Sequence, residues 1–117
     1  MKIVREIFPG RFQEGMEKAI RSLKEVQEIR IRVYSPIMVY SNNKEYFVTR
    51  NGQVSAVRNS DDVMKPRDLE DIVYHICRSS LYAYEEELRR GYLTIEGGYR
   101  IGITGQAVLD ASAWLSR

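Results

Sequence analysis

Hydrophobic residues recur at helical spacing early in the chain and at alternate positions directly afterwards. Over residues 11–26, Phe12, Met16, Ala19, Ile20, Leu23 and Val26 fall on one stripe, separated by Glu14, Glu17, Lys18, Arg21, Lys24 and Glu25. That pattern predicts an amphipathic helix with a charged outer face, punctuated at its start by Pro9-Gly10. The period then becomes two. Ile29, Ile31 and Val33 alternate with Glu28, Arg30 and Arg32, as in a strand with one buried face. Tyr34-Ser35-Pro36 interrupts it, because proline cannot donate to a ladder and restricts the residue before it. Residues 37–41 and 45–50 read as two further strands around Asn42-Asn43. Asn51-Gly52 is a hairpin signal, since both residue types tolerate positive φ, and residues 53–57 would return. The polar stretch 58–65 reads as a loop within one domain.

Pro66 suits the first turn of a helix, where its missing N–H costs nothing. Leu69, Ile72, Val73, Ile76 and Cys77 then trace one apolar face. Ser79 or Ser80 can cap a second helix, in which Leu81, Tyr84 and Leu88 face inward. Its pairs Glu85–Arg89 and Glu86–Arg90 have the favourable i, i+4 order, acid early and base late suit its dipole, and Gly91 is the natural residue just past its end. A hairpin follows over residues 92–108. A two-residue Gly97-Gly98 loop would set Ile95 opposite Arg100 and scatter the apolar residues over both faces. An odd loop, of three residues, puts Leu93, Ile95, Ile101 and Ile103 on one face instead.

The 117 residues suit a single domain, 1–117, large enough to bury a core unaided. Hydrophobic content of 44% and charged content of 29% are ordinary for a soluble globular protein, and a net charge of +2 does not by itself argue for a polyanion partner. One cysteine excludes an internal disulfide framework and suits a reducing compartment. No apolar run has the length of a membrane span, and MKIVREIF lacks the apolar core of a signal peptide. The expectation is an intracellular α+β domain, with a mainly antiparallel sheet and helices against one of its faces.

Two stretches carry a family resemblance. EIRIRV at residues 28–33, followed by Pro36, and SLYAYEEELRRGYLTIEGGYRIGITG at residues 80–105 resemble the N-terminal domain of stage III sporulation protein AA. They cover roughly a third of the chain, and the order helix, strands, helices, hairpin also fits. The resemblance implies a family of ATPases of endospore-forming bacteria, similar to the motors of type II and type IV secretion systems. It implies a mother-cell cytoplasmic protein, peripheral at the membrane facing the forespore. A ring of subunits would there energise a secretion-like channel by hydrolysing ATP with Mg. The implied partners are the chain's own motor domain, neighbouring ring subunits and the channel's membrane subunits, without direct membrane insertion.

The chain departs from the family in its chemistry. It contains no G-x-x-x-x-G-K-[ST] loop, whose backbone N–H groups and lysine hold phosphates. Gly97-Gly98 and Gly102-x-x-Gly105 lack the following lysine and hydroxyl. The C-terminal residues 110–117 do not resemble a polar linker, so the chain reads as an N-terminal module without its motor or as a short relative. No catalytic, cofactor-binding or metal site is expected in it. His75 lies off its helix stripe and reads as a surface histidine. Cys77 lies on the stripe and reads as a buried thiol. Zinc would need several carboxylates beyond these two, and Glu85-Glu86-Glu87 reads as a solvated helix face.

The candidate interface residues are Arg30, Arg32, Tyr82, Tyr84, Tyr92, Tyr99 and Arg100. They admit three readings: amphipathic packing, a protein docking surface rich in Tyr and Arg, or single-stranded nucleic acid on a basic, aromatic sheet. Joined to the resemblance, they favour a non-catalytic assembly and docking module, with a small nucleic-acid-binding domain as the alternative.

Overall fold

The structure, a computed structural model, describes residues 2–58, 62–80, 92–95 and 99–104. Its first element, helix α1 (Lys2–Ile7), is one the hydrophobic pattern does not predict. Six residues are too few for periodicity to register, and a helix so short draws its stability from packing. Val4, Ile7 and Phe8 are each 1% exposed, in the same cluster as the long helices. Pro9 has no N–H to give the Arg5 carbonyl four residues earlier. His75 supplies the donor instead, its Nε2 lying 2.5 Å from that oxygen. The lone histidine, of intermediate burial, is thus bound to α1 at the surface.

Helix α2 (Gly10–Ser22) buries Phe12, Gly15, Met16, Ala19 and Ile20 as the stripe predicts. It stops at Ser22, however, and Val26 already opens strand β1 (Val26–Arg32). Tertiary hydrogen bonds claim the intervening backbone. The buried Ser41 hydroxyl donates to the Lys24 carbonyl, and the Asn42 N–H donates to the Glu25 carbonyl at 3.2 Å. Glu25 sits at φ 52°, off the helical path.

Strands β2 (Ile37–Ser41) and β3 (Lys44–Val48) are joined at Asn42-Asn43, whose φ values of 49° and 63° make the two-residue left-handed turn. The turn after β3 differs from the expected form. Only Gly52 adopts positive φ, at 84°. The Gly52 N–H donates to the Thr49 carbonyl at 3.0 Å and the Thr49 N–H to the Gln53 carbonyl at 2.9 Å. This is a three-residue loop, which ends β3 at Val48 and leaves only Val54–Ser55 as strand β4. Met64, within the stretch expected to be a polar loop, is 2% exposed and forms a parallel bridge with Val33.

Helix α3 (Pro66–Ser80) opens at the expected proline and buries Leu69, Ile72, Val73 and Ile76. It continues through Ser79 and Ser80, so Ser79 does not mark a break between two helices. The expected second helix over residues 81–90, Gly91 at its end and the conformation of Gly97-Gly98 lie outside the described residues, as do the surroundings of Cys77.

Strands β5 (Tyr92–Ile95) and β6 (Tyr99–Thr104) pair with Leu93 opposite Ile101 and Ile95 opposite Tyr99. The odd connection expected from the apolar pattern is the one observed. Strand β6 then lies parallel to β1, Ile101 beside Ile29 and Ile103 beside Ile31. The sheet has six strands in the order β4-β3-β2-β1-β6-β5, with every other pairing antiparallel. Ile29, Ile31, Ile37, Val39, Val48 and Ile101 form one core with the apolar stripes of the three helices. The architecture is α+β, and the described helices pack on one sheet face.

Helix α2 reaches the β3–β4 loop through two glycines. A Cβ on Gly15 would strike the Arg50 carbonyl, and one on Gly52 would lie 2.5 Å from the Gly15 carbonyl oxygen. Gly15→Ala should therefore destabilise the fold by about 1–3 kcal/mol through overpacking against backbone. Gly10→Ala, where a Cβ meets nothing within 4 Å, should be neutral or slightly stabilising. Urea denaturation of the two variants checks the contrast.

Candidate docking face

Among the described residues α1, α2 and α3 pack on one side of the sheet, and alternate register positions belong to the other. Register aligns them in rows. Arg30 pairs with Met38, Met38 with Phe47 and Phe47 with Ser55, while Gly102 and then Tyr92 continue that row across β6 and β5. In the next row Arg100 pairs with Glu28, Glu28 with Tyr40 and Tyr40 with Glu45. Arg32 pairs with Thr104 beyond them. A hollow of about 210 Å³ opens on this face, its lining including Arg30, Arg32 and Arg58 around Met38, Phe47 and Pro36.

The three guanidiniums differ in how they are held. Arg30 Nε donates to Glu28 Oε2 at 2.7 Å, which cancels much of its charge locally. Arg58 reaches across to the Tyr34 carbonyl, Nη2 to oxygen 3.2 Å, and so stands over the rim. Arg32 is exposed, and neither it nor Arg58 forms an ion pair among the described residues. Phe47 and Arg58 also line a second, more open depression with Val54 and Val57, and Val57 is 74% exposed. The face can therefore offer cationic donors and apolar surface side by side.

Of the expected interface residues, Arg30, Arg32, Tyr92 and Arg100 occupy register positions of this open face. Tyr99 does not: opposite Ile95 and two residues before Ile101, it takes the register of the helix-covered face. Tyr82 and Tyr84 lie outside the described residues. Met38 and Phe47 were legible in principle, since they alternate with Val39 and Val48. Arg58 carried no local signal, because only the fold brings it over the sheet.

The family model for sporulation stage III, protein AA matches residues 2–113. The chain belongs to that family. A curated relative, stage III sporulation protein AA of Bacillus subtilis (strain 168), is 26% identical over 115 residues, covering 94% of this chain and 32% of the relative. The chain thus spans about a third of the length of the curated relative it matches. No solved structure matches it.

In this member of the sporulation stage III protein AA family, the other polar cluster is structural. Asp68, 6% exposed, stands in the first turn of α3 and accepts from the Lys65 N–H at 3.0 Å, a carboxylate closing the helix start. Its Oδ1 accepts from Arg11 Nη2 and its Oδ2 from Arg50 Nη2, each at 2.8 Å. Arg11 also bridges to Asp71 at 2.8 Å, and both arginines lie over the Phe12 ring. Both carboxylate oxygens of Asp68 thus accept hydrogen bonds. Among the described residues no group of His, Cys, Asp and Glu could hold a metal ion. No helix among them is long and apolar enough to cross a membrane.

Burial alone would raise the Asp68 pKa, but hydrogen bonds from Arg11 and Lys65 and the charges of Arg50 and Arg11 outweigh it and hold the carboxyl below its ordinary range. The hydrogen bond from Asp68 likewise leads in raising the Arg11 pKa, against the opposing effect of burial. Asp68→Asn should destabilise the protein by about 1.5–3 kcal/mol, the range for hydrogen bonds to charged groups. A depressed folded-state pKa stabilises above the unfolded value of about 3.9 and loses that effect as pH falls through the folded value. The stability gap between wild type and variant should therefore hold at neutral pH and close only in strong acid, which thermal unfolding across pH will check. On the open face the opposite result is expected. Arg32→Glu should change stability by no more than about 0.5 kcal/mol, since it breaks no ion pair among the described residues.

Proposed function

We propose that this chain is the non-catalytic N-terminal assembly and docking module of a sporulation secretion-type ATPase, which energises a channel from mother cell to forespore. The observation that carries the reading is the pairing of near-complete family coverage, residues 2–113, with a span of only 32% of the curated relative. What this chain matches is one part of a longer relative, and its sequence has no phosphate-binding loop. Nucleotide phosphates need oriented N–H donors, a lysine and a metal ligand held together. ATP and Mg would then belong to the motor outside this chain.

Its own work would be done by contact: with that motor, with neighbouring subunits of a ring, and with the channel's membrane subunits. The setting is the cytoplasmic side of the membrane facing the forespore. A sheet whose described helices all pack on one face suits such a role, because the other face can be engaged without disturbing the core. Isothermal titration calorimetry of Mg-ATP into the purified chain should show no binding. Micromolar affinity would overturn the non-catalytic reading.

A further inference from the structure

The open face is chemically uneven, and the unevenness points to an occupant. Of the three guanidiniums that line the hollow alongside Glu45, those of Arg32 and Arg58 form no ion pair among the described residues. The exposed apolar surface of the face is concentrated at Val57 beside Phe47, and Arg58 and Phe47 line both depressions, so the two join. Val57 at 74% exposure and Tyr34 at 67% flank Arg58. Exposed apolar surface beside unpaired cations is the usual composition of an interface centre with a charged rim.

We propose that this face binds an acidic peptide segment of a partner protein, laid across the strands with one bulky apolar side chain against Phe47 and Val57 and carboxylates on Arg32 and Arg58. The inference deepens the docking reading above and rests on it for its biological setting. Guanidinium forks match carboxylates in plane and can bond them through two N–H groups. Met38 and Pro36 line the hollow beside the cations, together with Ser35 and Glu45, so the peptide's carboxylates would seat on Arg32 and Arg58 rather than beside Glu45. Nucleic acid fits less well. Glu28 and Glu45 share the same row of the face and would repel a line of phosphates, whereas a peptide can place its acids selectively.

The test is fluorescence polarisation of the 117-residue chain with a short labelled peptide in which Asp and Glu flank a central Phe-Leu pair. The same peptide with Lys for each acid, and a labelled oligothymidine, serve as comparisons. The acidic peptide should bind in preference to both and weaken with added salt. Arg32→Glu combined with Arg58→Glu, and separately Val57→Asp, should each weaken it about tenfold or more, with thermal unfolding unchanged. No binding of the acidic peptide, equal binding of its Lys counterpart, or indifference to these substitutions would overturn the proposal. Tighter binding of oligothymidine, lost on the same charge reversal, would replace it with a nucleic-acid site. The paired reversals in the assembled motor separate this inference from the docking reading. Lost assembly without peptide binding removes the peptide site and keeps the docking role. Peptide binding with assembly unimpaired does the reverse.

Discussion

Taking the Asp68 carboxylate out of water is costly, and three separate parts of the chain converge to offset that cost. Arg11 comes from the start of α2, Arg50 from the β3–β4 loop, and the Lys65 N–H from the entry to α3. A carboxylate with these partners stays ionised and holds all three segments in one place. The Phe12 ring beneath both guanidiniums extends the joint into the apolar core. Because removing one partner would leave a buried charge incompletely paired, the network acts as a unit.

The same joint explains the close approach of α2 to the β3–β4 loop. Arg50 can reach Asp68 only if its backbone lies against the helix, and Gly15 is the residue that permits this. With α2 drawn over one end of the sheet, and α1 and α3 packed beside it through Val4, Ile7, Leu69 and Ile76, one sheet face becomes the floor of the core. The other face keeps what alternation puts there: Arg30, Arg32, Met38 and Phe47. Stability thus rests on one side of the strands, and the proposed recognition on the other. A charge change at Arg32 is free to alter binding without reaching the joint at Asp68.

That separation bears on the docking role proposed for this chain. A domain that docks on other proteins, as proposed above, would benefit from a core insulated from its contact surface. The proposed acidic partner would engage side chains only, leaving the strand ladders and the glycine contact undisturbed.

Much of this fold was legible along the chain. The stripes of α2 and α3, the alternation of β1, and the odd connection between β5 and β6 all follow from local periodicity, because a strand or helix must turn one face inward wherever it lies. The arginines at positions 30, 32 and 100 could likewise be assigned to strands. What the sequence alone could not determine depends on partners distant along the chain. Helix α1 is too short to show a period and exists against α3. The end of α2 is set by hydrogen bonds from Ser41 and Asn42 to residues 24 and 25. Asp68 reads as an ordinary first-turn acid until Arg11 and Arg50 arrive from 57 and 18 residues away. Tyr99 and Arg100, adjacent in sequence, part company once β6 pairs with β1 and β5. Periodicity encodes which residues share a face; only the packed sheet decides which face is covered, and therefore which residues are left to meet another molecule.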